Sequence, residues 1–171
     1  MGLQVQQRTA AHTMKDCAQP LNCMKTVHKS VLIWYSATEM FALVTDIPRY
    51  PEFLPWCDQA SVVEETPQGM LAKVGISMAG LSQSFTTRNV HEQDRKVSLK
   101  LVDGPFSKLE GHWNFTPVGQ DKERACKIDF HLRYDFDNAA LAALVGPVFD
   151  KIAGSLVDAF VKRAEQVYGE A

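Results

Sequence analysis

The sequence lacks the short motifs that mark common enzyme active sites. It contains no GxSxG, HExxH or GxGxxG pattern and no phosphate-binding P-loop. Its four cysteines (Cys17, Cys23, Cys57 and Cys126) form no CxxC pair and have no histidine at metal-ligand spacing, so no metal site is predicted. We expect reduced thiols, with Cys57 and Cys126 as small buried hydrophobic side chains.

Neither an excess of charge nor a long hydrophobic run stands out among the 171 residues. The formal net charge of −2 gives no overall attraction to nucleic acid, and no DNA partner is predicted. No window approaches the ~20 apolar residues of a membrane span. We therefore expect a cytoplasmic protein, at most peripheral to the inner membrane.

Residues 1–23 are polar, rich in glutamine and without clear periodicity. They also lack the apolar run of a signal peptide. This composition predicts a disordered extension, followed by one folded domain over residues 24–169. A chain of this length can bury a full core, or a core with an internal cavity.

Alternating apolar residues predict six to seven β-strands with one short helical insert. Ser36 and Glu39 form a capping box that begins the insert, and Pro48 ends it. The short turns between later strands predict an antiparallel meander. The predicted strands cover residues 26–34, 60–65, 70–78, 82–92, 96–102, 106–118 and 126–136.

A long amphipathic helix is predicted over residues 139–168, with a kink or break at Gly146-Pro147. Its apolar stripe comprises Leu141, Leu144, Val145, Val148, Phe149, Ile152, Leu156, Phe160 and Val167. These apolar faces are buried most simply in an α+β domain in which a curved antiparallel sheet wraps around this helix. Such a sheet, filled by one helix, tends to leave an apolar hollow.

The most informative segment is residues 49–57, where aromatic side chains stand between prolines. This composition suits neither a helix interior nor a paired strand, and we expect one loose helical turn between Pro51 and Pro55. Its apolar bulk either plugs the end of the core or lines a pocket. Its apolar side chains are Tyr50, Phe53, Leu54 and Trp56.

Polar candidates are few. The five histidines are scattered along the sequence with no recognisable partner spacing, and a solvated role suits His131. Thr87 and Asn89 share the predicted strand face of Phe85. Cross-strand hydrogen bonding or solvation is the simpler interpretation, and polar anchors for a ligand head group are the alternative.

Several motifs together resemble the coenzyme Q-binding START-domain family, which includes the bacterial ribosome association toxin A proteins. They are DIPRYPEFLPWC (residues 46–57), SFTTRN (84–89), LVDGPF (101–106) with Leu109, Gly111, Trp113 and Phe115, and VF (148–149) with LVDAFVKRA (156–164). The resemblance covers residues 24–169 and implies a START-like helix-grip fold. It also implies a non-catalytic carrier or chaperone for a polyprenylated quinone such as ubiquinone, in support of respiration, with no cofactor required.

The resemblance and the pattern together predict a ligand site between sheet and helix. Tyr50, Phe53, Leu54 and Trp56 would form its gate. Its wall would comprise Phe106, Trp113, Phe115, Val148, Phe149 and Ile152. A transient contact with a membrane surface would suit such a carrier.

The bacterial branch of the family implies a second function, binding to the large ribosomal subunit and blocking subunit association. That function calls for a clustered basic surface. Candidate cations are Lys96, Lys100, Lys108, Arg124 and Lys127, diluted by Asp94, Asp121, Glu123 and Asp129. A cyclase-like enzyme, the third interpretation, needs an acid or base inside the cavity, and none is predicted on the apolar faces.

Overall fold

The computed structural model describes residues 24–120 and 124–170 as one antiparallel sheet, a helical insert and a long last helix. The predicted extension over residues 1–23 lies outside the described residues. The strands are β1 (Lys25–Ile33), β2 (Cys57–Thr66), β3 (Gly69–Met78), β4 (Leu81–Glu92), β5 (Lys96–Asp103), β6 (Phe106–Pro117) and β7 (Cys126–Phe136). The helices are α1 (Ala37–Thr45), a 3₁₀ turn (Ile47–Arg49), α2 (Tyr50–Phe53) and α3 (Ala139–Tyr168).

The seven strands lie in the order β1-β7-β6-β5-β4-β3-β2, and every neighbouring pair is antiparallel. Successive strands from β2 to β7 form the predicted meander, because the turns between them are short. β1 pairs with β7 and forms one edge of the sheet, and β2 forms the other edge. The α+β helix-grip architecture predicted from the sequence is therefore confirmed, with α3 packed against one face of the sheet.

The helical insert follows the capping signals in its sequence. The Ser36 side chain accepts a hydrogen bond from the Glu39 backbone N–H, and the Glu39 carboxylate accepts one from the Ser36 backbone N–H. Pro48 stands at the start of the 3₁₀ turn, and Pro51 stands at the start of α2, where a missing N–H costs nothing. The single helical turn predicted between Pro51 and Pro55 is present as the four residues of α2, which begins one residue earlier, at Tyr50, and ends at Phe53.

α3 is one continuous helix, so the predicted break at Gly146-Pro147 is wrong. Pro147 removes the hydrogen bond to the carbonyl of Ala143, but both residues are exposed, and water can satisfy that carbonyl. Leu144 also lies on this solvent face with 61% exposure, and Val167 is 48% exposed, so neither belongs to the apolar stripe. The buried stripe instead includes Ala153, Val157 and Ala164 alongside the larger predicted side chains.

The same helix corrects the expectation that no window approaches a membrane span. By length and composition α3 could cross a membrane. Its buried residues, however, pack on the inner face of the sheet within the main core cluster. A core helix satisfies the same criteria, because a wide apolar face is what buries it.

One glycine sets the turn between β5 and β6. Gly104 has a φ of +145°, and an added Cβ would lie 2.6 Å from the Cβ of Phe85 on β4. Only glycine permits so close an approach. The turn thereby brings Phe106, the first residue of β6, against Phe85 and against Phe149 of α3, with ring centroids 5.8 and 4.9 Å away.

Candidate functional site

An apolar cavity of about 100 Å³ lies between the inner face of the sheet and α3. Alternation along each strand sends every second side chain to this face, and the α3 stripe covers it from the other side. The 3₁₀ turn and the segment that follows it border the cavity through Ile47, Tyr50 and Trp56. The sheet and α3 contribute Ala72, Val74, Ile76, Phe85, Thr87, Asn89, Leu99, Leu109, Trp113, Phe130, Leu132, Phe149, Ile152, Ala153, Leu156 and Phe160.

The structure places the ten predicted site residues in two groups. Five border the cavity: Tyr50, Trp56, Trp113, Phe149 and Ile152. The other five do not border it: Phe53, Leu54, Phe106, Phe115 and Val148. Which of them touch a ligand stays a prediction.

The five residues off the cavity wall support it from outside. Leu54 is fully buried, and Phe106 and Phe115 are core residues with 4% and 2% exposure. Phe53 packs edge-to-face on the cavity residue Phe160 at 5.2 Å. Val148 is half-buried beside Phe149 in the helix, on the flank of the stripe. These side chains shape the wall without forming it.

Four contacts hold α2 beside the cavity, where Tyr50 forms part of the wall. The Tyr50 hydroxyl donates a hydrogen bond to the Val44 carbonyl, and the Tyr50 ring packs on Phe160 at 5.4 Å. Burial raises the pKa of Tyr50, so its hydroxyl stays protonated and keeps donating. Outside, Arg163 of α3 binds Glu52 at 2.6 Å, with its guanidinium 5.1 Å from the centre of the Phe53 ring. We call the Arg163–Glu52 ion pair with the Phe53 ring the latch.

Two polar side chains face the cavity amid the apolar lining. Thr87 and Asn89, only 4% and 7% exposed, both border it. The Thr87 hydroxyl donates to the Asn89 side-chain oxygen at 2.8 Å along the same strand. The cross-strand bonding favoured by the simpler interpretation is absent for these two side chains among the described residues. The Asn89 amide NH₂ has no protein acceptor within residues 24–120 and 124–170, so it can donate to a molecule in the cavity.

The cavity lining contains no Asp, Glu, His, Lys, Arg or Cys among the described residues. The two described cysteines are both buried, as predicted, and free. Burial raises the pKa of Cys57 and of Cys126 to about 11, so neither forms the thiolate that a nucleophile requires. The described lining therefore offers hydrophobic contact and hydrogen bonds, without a strong acid or base.

The outer face of the sheet carries a different chemistry, which the sequence did not reveal. His28, His131 and His112 lie side by side on β1, β7 and β6. Their rings stack, with centroids 4.0 Å apart for the first pair and 4.8 Å for the second. The interpretation of scattered histidines is wrong for these three, because strand pairing joins positions that are distant in the sequence.

The predicted basic cluster does not form as a unit. Arg124 binds Glu39 at 2.7 Å, Lys127 binds Asp129 at 3.3 Å, and Lys108 binds Glu110 at 3.2 Å. Lys96 stands directly opposite Glu92 on the neighbouring strand. Lys100 stands between Glu110 on β6 and Arg88 on β4, a cation that the sequence interpretation had left out of the cluster.

The residues missed on the cavity wall come from five strands, the helix α3 and the 3₁₀ turn, and those of β3 and β7 illustrate why they were missed. Ala72, Val74 and Ile76 alternate on β3, and Phe130 and Leu132 alternate on β7. That alternation was visible and placed them on an inner face. It could not separate side chains that border a hollow from those that fill the core, because both require the same apolar periodicity.

Comparison with known proteins identifies a family model and several relatives that match most of this chain. A family model described as polyketide cyclase/dehydrase and lipid transport matches residues 33–161. The ribosome association toxin RatA of Escherichia coli K12 is 43% identical over 145 residues, which cover 85% of this chain and 90% of RatA. The mitochondrial coenzyme Q-binding protein COQ10 homolog B of Xenopus laevis is 28% identical over 167 residues, 92% of this chain and 66% of that protein.

Among solved structures, the Zhui aromatase/cyclase of Streptomyces sp. R1128 superimposes with a TM-score of 0.73. The match covers 86% of this chain and 99% of the cyclase, at 14% sequence identity. Similarity at that identity shows a common fold. It leaves the chemistry of the cavity to be argued from the residues of this chain.

Proposed function

The chain belongs to the polyketide cyclase/dehydrase and lipid transport family, and we propose that it binds a hydrophobic isoprenoid in its cavity. Ubiquinone is the ligand that we favour, held and released without chemical change, in support of respiratory electron transport. The observation that carries the proposal is an apolar cavity whose polar lining is a single Thr87–Asn89 pair, apart from the Tyr50 hydroxyl and the Trp ring nitrogens. We place the protein in the cytoplasm, with brief contacts at a membrane surface where such a ligand resides.

The cavity lining supports binding over catalysis. Cyclisation and other enzymatic steps in such a hollow need a group that gives or takes a proton near neutral pH. The described lining has no carboxylate, imidazole or amine, and the raised pKa of Tyr50 keeps its phenol neutral. A carrier needs none of these groups.

The size of the cavity defines how a quinone would enter. Pockets for drug-sized ligands measure roughly 300–1,000 Å³, and a cavity of about 150 Å³ is enough for benzene. At about 100 Å³, the cavity suits one ring or a short piece of a tail. A polyprenyl quinone therefore requires α2 to move away from Phe160, opening the end that the latch now covers.

The Thr87–Asn89 pair offers a reason for choosing a quinone over a plain hydrocarbon. A quinone carbonyl accepts a hydrogen bond, and the Asn89 amide can donate one inside an apolar wall. A ligand oxygen that accepts from this amide gains a hydrogen bond worth about 0.5–1.5 kcal/mol, which a plain hydrocarbon cannot form. The pair thus favours ligands with a carbonyl or hydroxyl oxygen.

Lipid extraction of the purified protein, followed by mass spectrometry, tests the main proposal. We expect a polyprenyl quinone to co-purify. A short-chain ubiquinone analogue should also bind on titration, and an Asn89→Leu variant should bind it roughly tenfold more weakly, the equivalent of one hydrogen bond of about 1.4 kcal/mol. Val90→Thr, at the next position but on the outer face, is the matched control and should leave the affinity unchanged.

The carrier proposal fails if no quinone co-purifies and none binds on titration. Phe53→Ala adds a second check, because it loosens α2 without altering the cavity wall. We expect it to change the rate of ligand exchange. A loss of stability alone, with unchanged exchange, would contradict a gating role for the segment.

A second function is favoured by one observation, the 43% identity to a protein named ribosome association toxin. In this alternative the chain binds the large ribosomal subunit and blocks subunit association. It predicts co-sedimentation with purified large subunits and growth arrest on overexpression. Absence of both would exclude it, whatever the outcome of the quinone experiments.

A further inference from the structure

We propose that the outer face of the sheet is an RNA-binding surface, with a groove formed by β4, β5, β6 and β7 that receives the phosphodiester backbone. The groove has a volume of about 530 Å³. Its charged and titratable lining is Arg88, Lys100, Arg133, His112, His131 and Glu110. The inference rests on the ribosome-directed function above and names the surface and the chemistry that would serve it.

The charge of the groove is the first argument. It contains three permanent cations and one carboxylate, although the whole chain has a net charge of −2. The carboxylate of Glu110 lies 3.3 Å from Arg133 and 3.2 Å from Lys108, just outside the lining. Arg88 and Lys100 form no ion pair within residues 24–120 and 124–170. The local excess of positive charge therefore sits on these two residues.

The pairing of Arg88 with Lys100 is the second argument. These residues lie directly opposite each other across β4 and β5, and Lys100 also stands opposite Glu110 on β6, so Arg88 is the cation with no carboxylate across from it on β5. Like charges at directly opposite positions destabilise a sheet. An anion bound between them would remove that repulsion, and a phosphate accepts hydrogen bonds from both side chains. The sheet thus tolerates a repulsive pair at the place where an anionic partner would dock.

The histidine stack is the third argument. Because the rings of His28, His131 and His112 lie face to face, their ring edges, which carry the nitrogen atoms, are left for other partners. The stack runs across three strands beside the row of Arg133 and Glu110. It therefore adds N–H donors beside the row of Arg133 and Glu110, along a groove that suits an extended phosphate backbone.

The experiment measures binding to purified large ribosomal subunits, and to their RNA stripped of protein, across a salt series. Arg88→Gln with Lys100→Gln removes the two unpaired cations. Lys151→Gln with Lys162→Gln is the matched control, since it removes the same charge from the exposed face of α3. Loss of two phosphate contacts should reduce the slope of log affinity against log salt by about 2. At low salt we expect at least tenfold weaker binding for the groove variant and a change below about threefold for the control.

Each other outcome overturns a defined part of the inference. Equal losses in the two double variants, or none in the groove variant, would exclude the groove as the docking surface while leaving ribosome binding intact. Binding to intact subunits but not to stripped RNA would replace RNA with a ribosomal protein as partner. If the wild-type chain binds neither, both this inference and the ribosome-directed function fail. Unchanged quinone binding in both variants verifies that the fold is preserved.

Discussion

The two faces of the sheet are built from the same strands, yet they carry opposite chemistry. On β7 the inner side chains are Ile128, Phe130 and Leu132, and the outer ones are Asp129, His131 and Arg133. The inner face surrounds an apolar cavity, and the outer face forms a cationic groove lined by histidine edges. The comparison teaches that the two proposals made above concern separate surfaces, so substitutions on one face can test one proposal without touching the other.

If the faces are independent, substitutions on the inner face should dominate stability. Phe160 is 1% exposed and contacts the rings of Tyr50, Phe53 and Trp113. Phe160→Ala should lower the free energy of unfolding by about 3–5 kcal/mol, measured by urea denaturation. Leu144→Ala, on the solvent face of the same helix, should cost less than about 0.5 kcal/mol, and similar losses in the two variants would break the comparison.

The latch should matter less, because it lies at the margin of the inner face. Arg163→Gln removes the 2.6 Å ion pair with Glu52 and the contact with the Phe53 ring. We expect a stability loss of about 1 kcal/mol and faster exchange of bound ligand, measured by stopped-flow fluorescence.

Arg49→Gln is the control for the latch, since Arg49 also binds Glu52, at 3.0 Å, but is 61% exposed. It should change stability by less than about 0.5 kcal/mol and leave ligand exchange unaltered. Equal acceleration of exchange in both variants would show that the charge of Glu52, and not the latch, governs opening.

A smaller effect depends on pH through His91, whose Nε2 is buried without a protein partner among the described residues. Burial lowers the pKa of His91, so the folded state binds fewer protons than the unfolded state. Stability should therefore fall as pH drops through and below the ordinary histidine range near 6.5. Thermal unfolding at pH 7.5 and 5.5 should show a smaller acid-induced loss for His91→Gln than for the wild type. An identical loss would place the acid sensitivity elsewhere.

The smallest effect on stability is expected on the outer face. Arg88→Gln with Lys100→Gln should shift the free energy of unfolding by less than about 0.5 kcal/mol, because the loss of the Arg88–Lys100 repulsion is offset by the loss of the attraction between Lys100 and Glu110. Urea midpoints at low and high salt measure this, and salt should reduce the shift. A loss of more than about 1 kcal/mol would show that Arg88 and Lys100 stabilise the fold. Stability would then no longer depend mainly on the inner face of the sheet.

The sequence predicted the inner face better than the outer one, for a physical reason. Burial imposes a strict apolar period, so the strands and the turn at Gly104 could be placed from residue order alone. The outer face has no such constraint. The meeting of His28 with His131, or Arg88 with Lys100, depends on strand register, which the solvent-facing residues do not encode.

The site was predicted in part. Trp113, Phe149 and Ile152 do border the cavity, but Phe106 and Phe115 lie in the solid core. The difference depends on how deeply the sheet curves around α3, which is a property of the assembled fold. Periodicity alone cannot supply it.

The pairing of β1 with β7 has a consequence for how the protein is made. The first described strand finds its only strand partner in the last, and its Lys25 and Lys29 bind Asp150 and Asp158 of α3, each at 2.6 Å. During synthesis β1 must wait until nearly the whole domain has been translated. Contacts so distant in sequence make folding slow and leave the concave apolar surface bare in the nascent chain. The last helix supplies one wall of the cavity and the partners of Lys25 and Lys29, so neither can form before that helix has been translated.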